Sequence, residues 1–297
     1  MYSWRLKFTG EKTIMHGRNL LLLILLFCQP VIAGQPADTL GAIKKSGTIR
    51  IAHPVTAPPF SFMQDDEPVG YSIDLCREVV DHIAAQLGLD NINIKWRSAD
   101  TLEGLRLVAD GVADMDCGTT TITLSRQERI AFSNEIFVAA GGVLVLNESG
   151  IEELVSLADR KVAVMHGTTT HKRLEKILER KNVKAKLVPI KNTDDGMLAL
   201  DSGKADAYAA DRMVLIARVT GSKDPTRYTM LTEMFSTDPY ALVLPRGDDG
   251  FRLAVNRALS DIYRGPALDQ IFPRWFGPGA KPSELLKTMY LLNSYQD

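Results

Sequence analysis

The chain has 297 residues, 45% of them hydrophobic and 24% charged, a balance that excludes a disordered or low-complexity protein and leaves room for one or two domains with a real core. Its formal net charge is −1. No basic tract runs along it, which argues against nucleic acid or an anionic lipid surface as partner and leaves a small molecule.

The first segment stands apart from the rest. Leu20–Phe27 is an unbroken apolar run preceded by Arg18, and Val31, Ile32 and Ala33 supply the small residue a signal peptidase reads, so residues 1–33 are expected to be a cleaved secretory signal. A membrane anchor would need roughly 18 or more apolar residues. Met15 would begin a more compact leader than Met1, and Phe27 is too bulky to precede a lipidated Cys28. Removing residues 1–33 takes away Arg5, Lys7, Lys12, Arg18 and Glu11, leaving 31 basic against 35 acidic side chains and a net charge of about −4. Cys76 and Cys117 remain in a compartment where disulfides persist. They lack CxxC spacing, so two buried free thiols are the simpler expectation and a disulfide the alternative.

Strand and helix patterns then alternate. Thr48–His53 reads as a strand, and Ile73, Cys76, Val79, Val80, Ile83 and Leu87 fall at helical spacing between Ser72, a good N-cap, and Gly88, a good stop. Asn91–Trp96 is a strand, Leu102–Ala109 a helix broken by Gly111, and Val112–Cys117 a third strand. Phe137–Leu146 is a long extended stretch. A second series follows, with strands at Lys161–Met165, Ala185–Pro189 and Ala205–Ala209 separated by helices at Thr170–Arg180 and Asp194–Asp201. Tyr240–Pro245 is a strand, followed by helices at Asp248–Tyr263 and Pro266–Arg274. Successive βαβ units predict mainly parallel sheets flanked by helices.

The two series resemble each other. Both run helix, glycine stop, then a strand opening Gly-x-Ala-Asp, at Gly111–Asp114 and Gly203–Asp206. Two related lobes are expected: a discontinuous first lobe of residues 34–141 and 239–297, and an inserted second lobe of residues 142–238, joined by extended crossings that serve as hinges.

Each series also carries a Gly-Thr-Thr-Thr turn, Gly118–Thr121 and Gly167–Thr170, just beyond the carboxyl end of a strand. Ligands of open α/β sheets bind at those ends, and such turns offer backbone N–H and hydroxyl donors to a carboxylate or phosphate. Arg126, five residues after Thr121, adds a planar fork that matches a carboxylate. Spacing alone equally allows Arg126 to pair with Glu128 on the surface. Asp211 follows the strand of the second lobe; it suits either an N-cap or the acceptor of an ammonium group. Together the two charges describe a receptor for a zwitterion, and the natural zwitterion is an α-amino acid.

Other chemistry is sparse. The sequence has no P-loop, GxSxG, HExxH or dinucleotide GxGxxG. His166 and His171 flank the second turn without a third ligand and are expected to be ordinary polar residues, as is His82 on its helix; neither metal nor cofactor is expected.

The stretches PPFSFMQDDEPVGYSIDL (58–75), MDCGTTTITLSRQERIAFSNEIF (115–137), VMHGTTTHKRL (164–174) and RALSDIYRGPALDQIFPRWF (257–276) resemble the periplasmic solute-binding proteins of ATP-driven polar amino-acid importers. Among these the chain is most similar to the glutamate/aspartate-binding members. The resemblance implies a two-lobed periplasmic clamp, monomeric and not an enzyme, that closes on one amino acid or related small zwitterion and delivers it to an inner-membrane ABC permease. It implies that Arg126, with Thr121 and Thr119, grips the α-carboxylate, that Thr168 and Thr169 add contacts, and that Asp211 holds the α-ammonium. Glutamate/aspartate-binding relatives carry an Arg after the His of the first strand; this chain has Pro54 after His53, and Lys191–Asp194 lacks the His such relatives place there. An acidic ligand would then need His53, Lys191 or another basic group. Ala57 removes an aromatic that some relatives stack on the ligand. Two other roles share the fold. A cyclohexadienyl/arogenate dehydratase would need His166, Asp211 or Glu233 as its acid, and a sensory protein would close in the same way onto a membrane receptor.

Overall fold

The computed structural model describes residues 38–296, so the leader expected at residues 1–33, with Cys28, lies outside the described residues. Two five-stranded sheets organise the chain. In the first, the strands lie in the order Asn93–Ser98, Thr48–His53, Met115–Asp116, Asp238–Pro245, Ile130–Ala139. In the second, the order is Lys186–Ile190, Lys161–Met165, Ala207–Asp211, Gly141–Leu146, Tyr228–Met230. The first three strands of each sheet pair in parallel, as βαβ crossovers require. The remaining pairs are antiparallel. The parallel expectation thus holds where helix and strand alternate, and the long strands outside that alternation run against it.

The chain passes from the first sheet to the second between Ala139 and Gly141 and re-enters the first at Asp238. The extended stretch anticipated over 137–146 is therefore two strands in different sheets, the first beginning at Ile130. A small hairpin sheet of Thr56–Ala57, Ser61–Gln64 and Glu67–Val69 also went unpredicted, because its strands are too short to show a period.

Helices cover both faces of the sheets, which is why inner strands such as Ala207–Asp211 and Asp238–Pro245 are largely buried while the edge strand Asn93–Ser98 is not. The helix Tyr71–Leu87 buries Ile73, Cys76, Val79, Val80 and Ile83 against the first sheet and stops at Gly88, whose φ of 69° is left-handed. It starts one residue ahead of Ser72. Ser72 is not the N-cap: its hydroxyl donates to the Gly118 carbonyl at 2.9 Å, so it anchors the first Gly-Thr-Thr-Thr turn. Cys76 on this helix and Cys117 beyond Met115–Asp116 form a disulfide. The free-thiol expectation fails because the helix packs directly over that strand end.

The repeated Gly-x-Ala-Asp motif has a structural cause. In both copies the Ala N–H closes the preceding helix, Ala113 onto Leu107 and Ala205 onto Ala199. The Asp carboxylate then accepts the N–H of a residue on the neighbouring strand, from Arg50 at 2.7 Å to Asp114 and from Lys161 at 2.7 Å to Asp206. The backbone of both motifs is thereby tied to the helix end, which delays strand entry. The observed strands are Met115–Asp116, shorter than Val112–Cys117, and Ala207–Asp211, shifted from Ala205–Ala209.

Candidate functional site

Both Gly-Thr-Thr-Thr turns are locally determined. Gly118 lies so close to Pro54 that an added Cβ would come within 2.7 Å of the Pro54 ring, so only glycine lets the turn sit on the first strand. Thr123 caps the short helix Leu124–Gln127 by accepting the Arg126 N–H at 3.2 Å. In the second turn Gly167 takes a φ of 78°, and Thr168 caps the helix Thr169–Arg180. Thr168 also donates to the Met165 carbonyl at 2.8 Å. The N-terminus of this helix, with its unpaired N–H groups and positive dipole end, is an anion-binding feature.

The two turns meet. Thr121 Oγ1 and Thr169 Oγ1 lie 3.0 Å apart, a hydrogen bond joining the lobes. A second junction forms where Thr193 and Arg218, from the second lobe, both donate to the Thr56 carbonyl, Arg218 at 2.5 Å. Arg218 is itself held by the Asp194 carboxylate at 2.5 Å. Between these junctions lies a cavity of about 180 Å³, lined by residues of both lobes.

Thr119, Thr121, Arg126, Thr168, Thr169 and Asp211 all line this cavity. His53 does not. It is 1% exposed, its Nδ1 sits 3.1 Å from the Pro54 carbonyl oxygen, its ring meets Trp96 edge-on, and burial lowers its pKa. The side chain at the end of a strand buried on both faces turns into the fold, away from the cavity.

Arg126 is half-buried, and its Nη1 donates to the Thr121 carbonyl at 2.6 Å. Among the described residues no carboxylate is within ion-pair reach of it, so the surface pairing with Glu128 does not form. Burial lowers its pKa, partly offset by the nearby Asp116 and Asp238 carboxylates. A guanidinium in a partly dry cavity, one nitrogen already bound, presents its free donors to an anion.

Asp211 stands where an N-cap would, yet its side chain makes no capping bond. Its Oδ2 instead accepts from the Tyr240 hydroxyl and its Oδ1 from Thr170 Oγ1 at 3.4 Å. Burial pushes its pKa up to about 7. A carboxylate so placed has the chemistry to accept a cation in the cavity. Tyr240, Tyr208 and Thr56 were not singled out as site residues from sequence; only tertiary contacts bring them to the site. The strand Asp238–Pro245 also supports the first turn, with Ala241 N–H on the Thr120 carbonyl and Ile122 N–H on the Pro239 carbonyl.

Of the acids a lyase would need, only Asp211 faces the cavity. His166 is exposed outside it, its ring tilted against that of His171 with centroids 4.9 Å apart. Glu233 is bound to Lys181 at 2.8 Å and to the Leu154 N–H at 2.6 Å, contacts that lower its pKa and favour the ionised form.

The sequence profile of the bacterial extracellular solute-binding proteins, family 3, matches residues 49–278. The chain belongs to that family. Among family-3 relatives, the L-glutamate/L-aspartate-binding protein of Pseudomonas aeruginosa is 27% identical over 266 residues, covering 89% of this chain and 88% of the relative. The glutamate/aspartate import solute-binding protein of Escherichia coli is 27% identical, covering 84% and 82%. Among solved structures, an ancestral arginine-binding protein bound to glutamine superposes with a TM-score of 0.68 at 27% identity, covering 78% of this chain and 98% of that one. The mixed α/β two-lobed architecture of this family-3 protein is that of the amino-acid-binding structures it resembles, and the two curated relatives are named as amino-acid-binding and import solute-binding proteins.

Proposed function

We propose that this protein is an extracytoplasmic receptor that binds one free amino acid between its lobes and delivers it to an ABC-type import permease of the inner membrane. The observation that carries this reading is a pairing of opposite charges in one cavity: the Arg126 guanidinium, with no carboxylate partner among the described residues, and the Asp211 carboxylate, which caps nothing. An α-amino acid carries the two complementary charges a few bonds apart. In this reading Arg126 takes the α-carboxylate, with Thr119, Thr121 and the helix end at Thr168 and Thr169 as further donors. Asp211, aligned by Tyr240 and Thr170, takes the α-ammonium. The lobes are residues 34–141 with 239–297, and residues 142–238. The protein acts as a monomer in the periplasm after loss of its leader.

Support comes from the family and from relatives named as amino-acid import proteins. The test is isothermal calorimetry of the purified protein with free amino acids and with their N-acetyl and carboxamide derivatives. Binding of the free amino acid with loss of affinity for both blocked forms is expected. Equal affinity for the blocked forms sinks the reading.

A further inference from the structure

We infer that the cavity is built for an amino acid with an uncharged side chain, in contrast to the acidic ligands named for the glutamate/aspartate-binding relatives. This rests on the receptor reading above, in which Arg126 and Asp211 are occupied by the α-groups. Of the remaining lining only Lys191 and Asp100 carry a charge, one of each sign; the rest is apolar or merely polar, Pro54, Val55, Ala57 and Met165 on one hand, Asn192 and Thr193 on the other.

Of the basic groups around the cavity, His53, Arg218 and Arg173 are engaged elsewhere and Lys191 is exposed. His53 is buried off the cavity against Trp96 and the Pro54 carbonyl. Arg218 stands behind the wall, spent on the Thr56 carbonyl, the Thr193 hydroxyl and Asp194. Arg173 donates to the Thr237 carbonyl at 2.6 Å and pairs with Asp238 at 3.3 Å. Lys191 reaches the lining but is exposed, and Asp100, also exposed, lines the same cavity with the opposite charge. A ligand side-chain charge drawn into this space would be desolvated without a dedicated counter-charge, which is strongly unfavourable. At about 180 Å³ the cavity falls below the roughly 300–1,000 Å³ of drug-sized ligand sites, which suits a single amino acid.

The discriminating experiment compares near-isosteric pairs that differ in charge: L-glutamine with L-glutamate, L-asparagine with L-aspartate, and L-norleucine with L-lysine. Affinities are measured by calorimetry on the purified protein and on Lys191→Gln. The neutral member of each pair is expected to bind at least tenfold more tightly, with Lys191→Gln changing its affinity by less than about twofold. Glutamate, aspartate or lysine binding as tightly as its neutral counterpart overturns the inference while leaving the receptor reading intact. Failure of every free amino acid, charged or neutral, overturns the receptor reading and this inference with it.

Discussion

Replacing Arg126 by Gln keeps an amide donor but removes the charge and the planar fork. The wild-type guanidinium has one nitrogen on the Thr121 carbonyl at 2.6 Å and no carboxylate partner among the described residues. In the ligand-free protein the substitution therefore trades one charge-assisted hydrogen bond, about 1.5–3 kcal/mol, against relief of a partly desolvated charge of similar size. The two nearly cancel. Apo stability should change by no more than about 1 kcal/mol, or roughly 2–4 °C in Tm for a chain of this size. The bound state is different, because there the ligand carboxylate loses its counter-charge in a partly enclosed cavity. Truncating one side of such a pair costs about 2–5 kcal/mol, equivalent to a rise in Kd of about 30- to 5,000-fold. Calorimetry with the tightest amino-acid ligand measures this, and thermal unfolding without ligand controls for folding. A variant that unfolds at the wild-type temperature and binds with wild-type affinity would refute the assignment of Arg126 to the ligand carboxylate.

The pH dependence follows from two buried carboxyls. Burial pushes both Asp116 and Asp211 up to about 7 from an ordinary value of 3.8. A carboxyl with a raised folded pKa keeps its proton where the unfolded chain has lost it, so its contribution to stability is present below about pH 4 and is lost as the pH rises to about 7. Asp116→Asn should flatten this fall in apo Tm while leaving affinity within about threefold; an unchanged slope counts against it. Binding an ammonium needs Asp211 ionised, so affinity should fall towards tenfold per pH unit below about pH 7, and Asp211→Asn should bind weakly with no such slope. Arg218→Ala removes the donor that spans from the second lobe to the Thr56 carbonyl. It should loosen the closed form and raise the ligand off-rate by about 5- to 30-fold, in keeping with about 1–2 kcal/mol for a partly exposed charged hydrogen bond; stopped-flow rates equal to wild type would exclude a closing role.

Periodicity made most of the helices and the parallel strands legible, because an element covered on both faces must be apolar along its length and a helix covered on one must repeat every three or four residues. The two Gly-Thr-Thr-Thr turns, Arg126 and Asp211 were readable for the same kind of reason: glycine, hydroxyl and charge at strand ends are local signals of backbone shape and donor chemistry. The repeated Gly-x-Ala-Asp motif was visible too. Its purpose was not, since the Asp partners, Arg50 and Lys161, lie on other strands.

Sequence alone could not say whether Arg126 pairs with Glu128 or Asp211 caps its helix, because each choice sets a local partner against groups distant along the chain. Folding decides them by bringing Tyr240 and Thr170 onto Asp211, leaving Arg126 without an acid among the described residues, and turning His53 inward. The same long-range packing sets Cys76 against Cys117 and closes Thr121 on Thr169. Local residues dictate which elements form and which chemistry they carry; only the contacts between remote elements determine which of those charges remain free to meet a ligand.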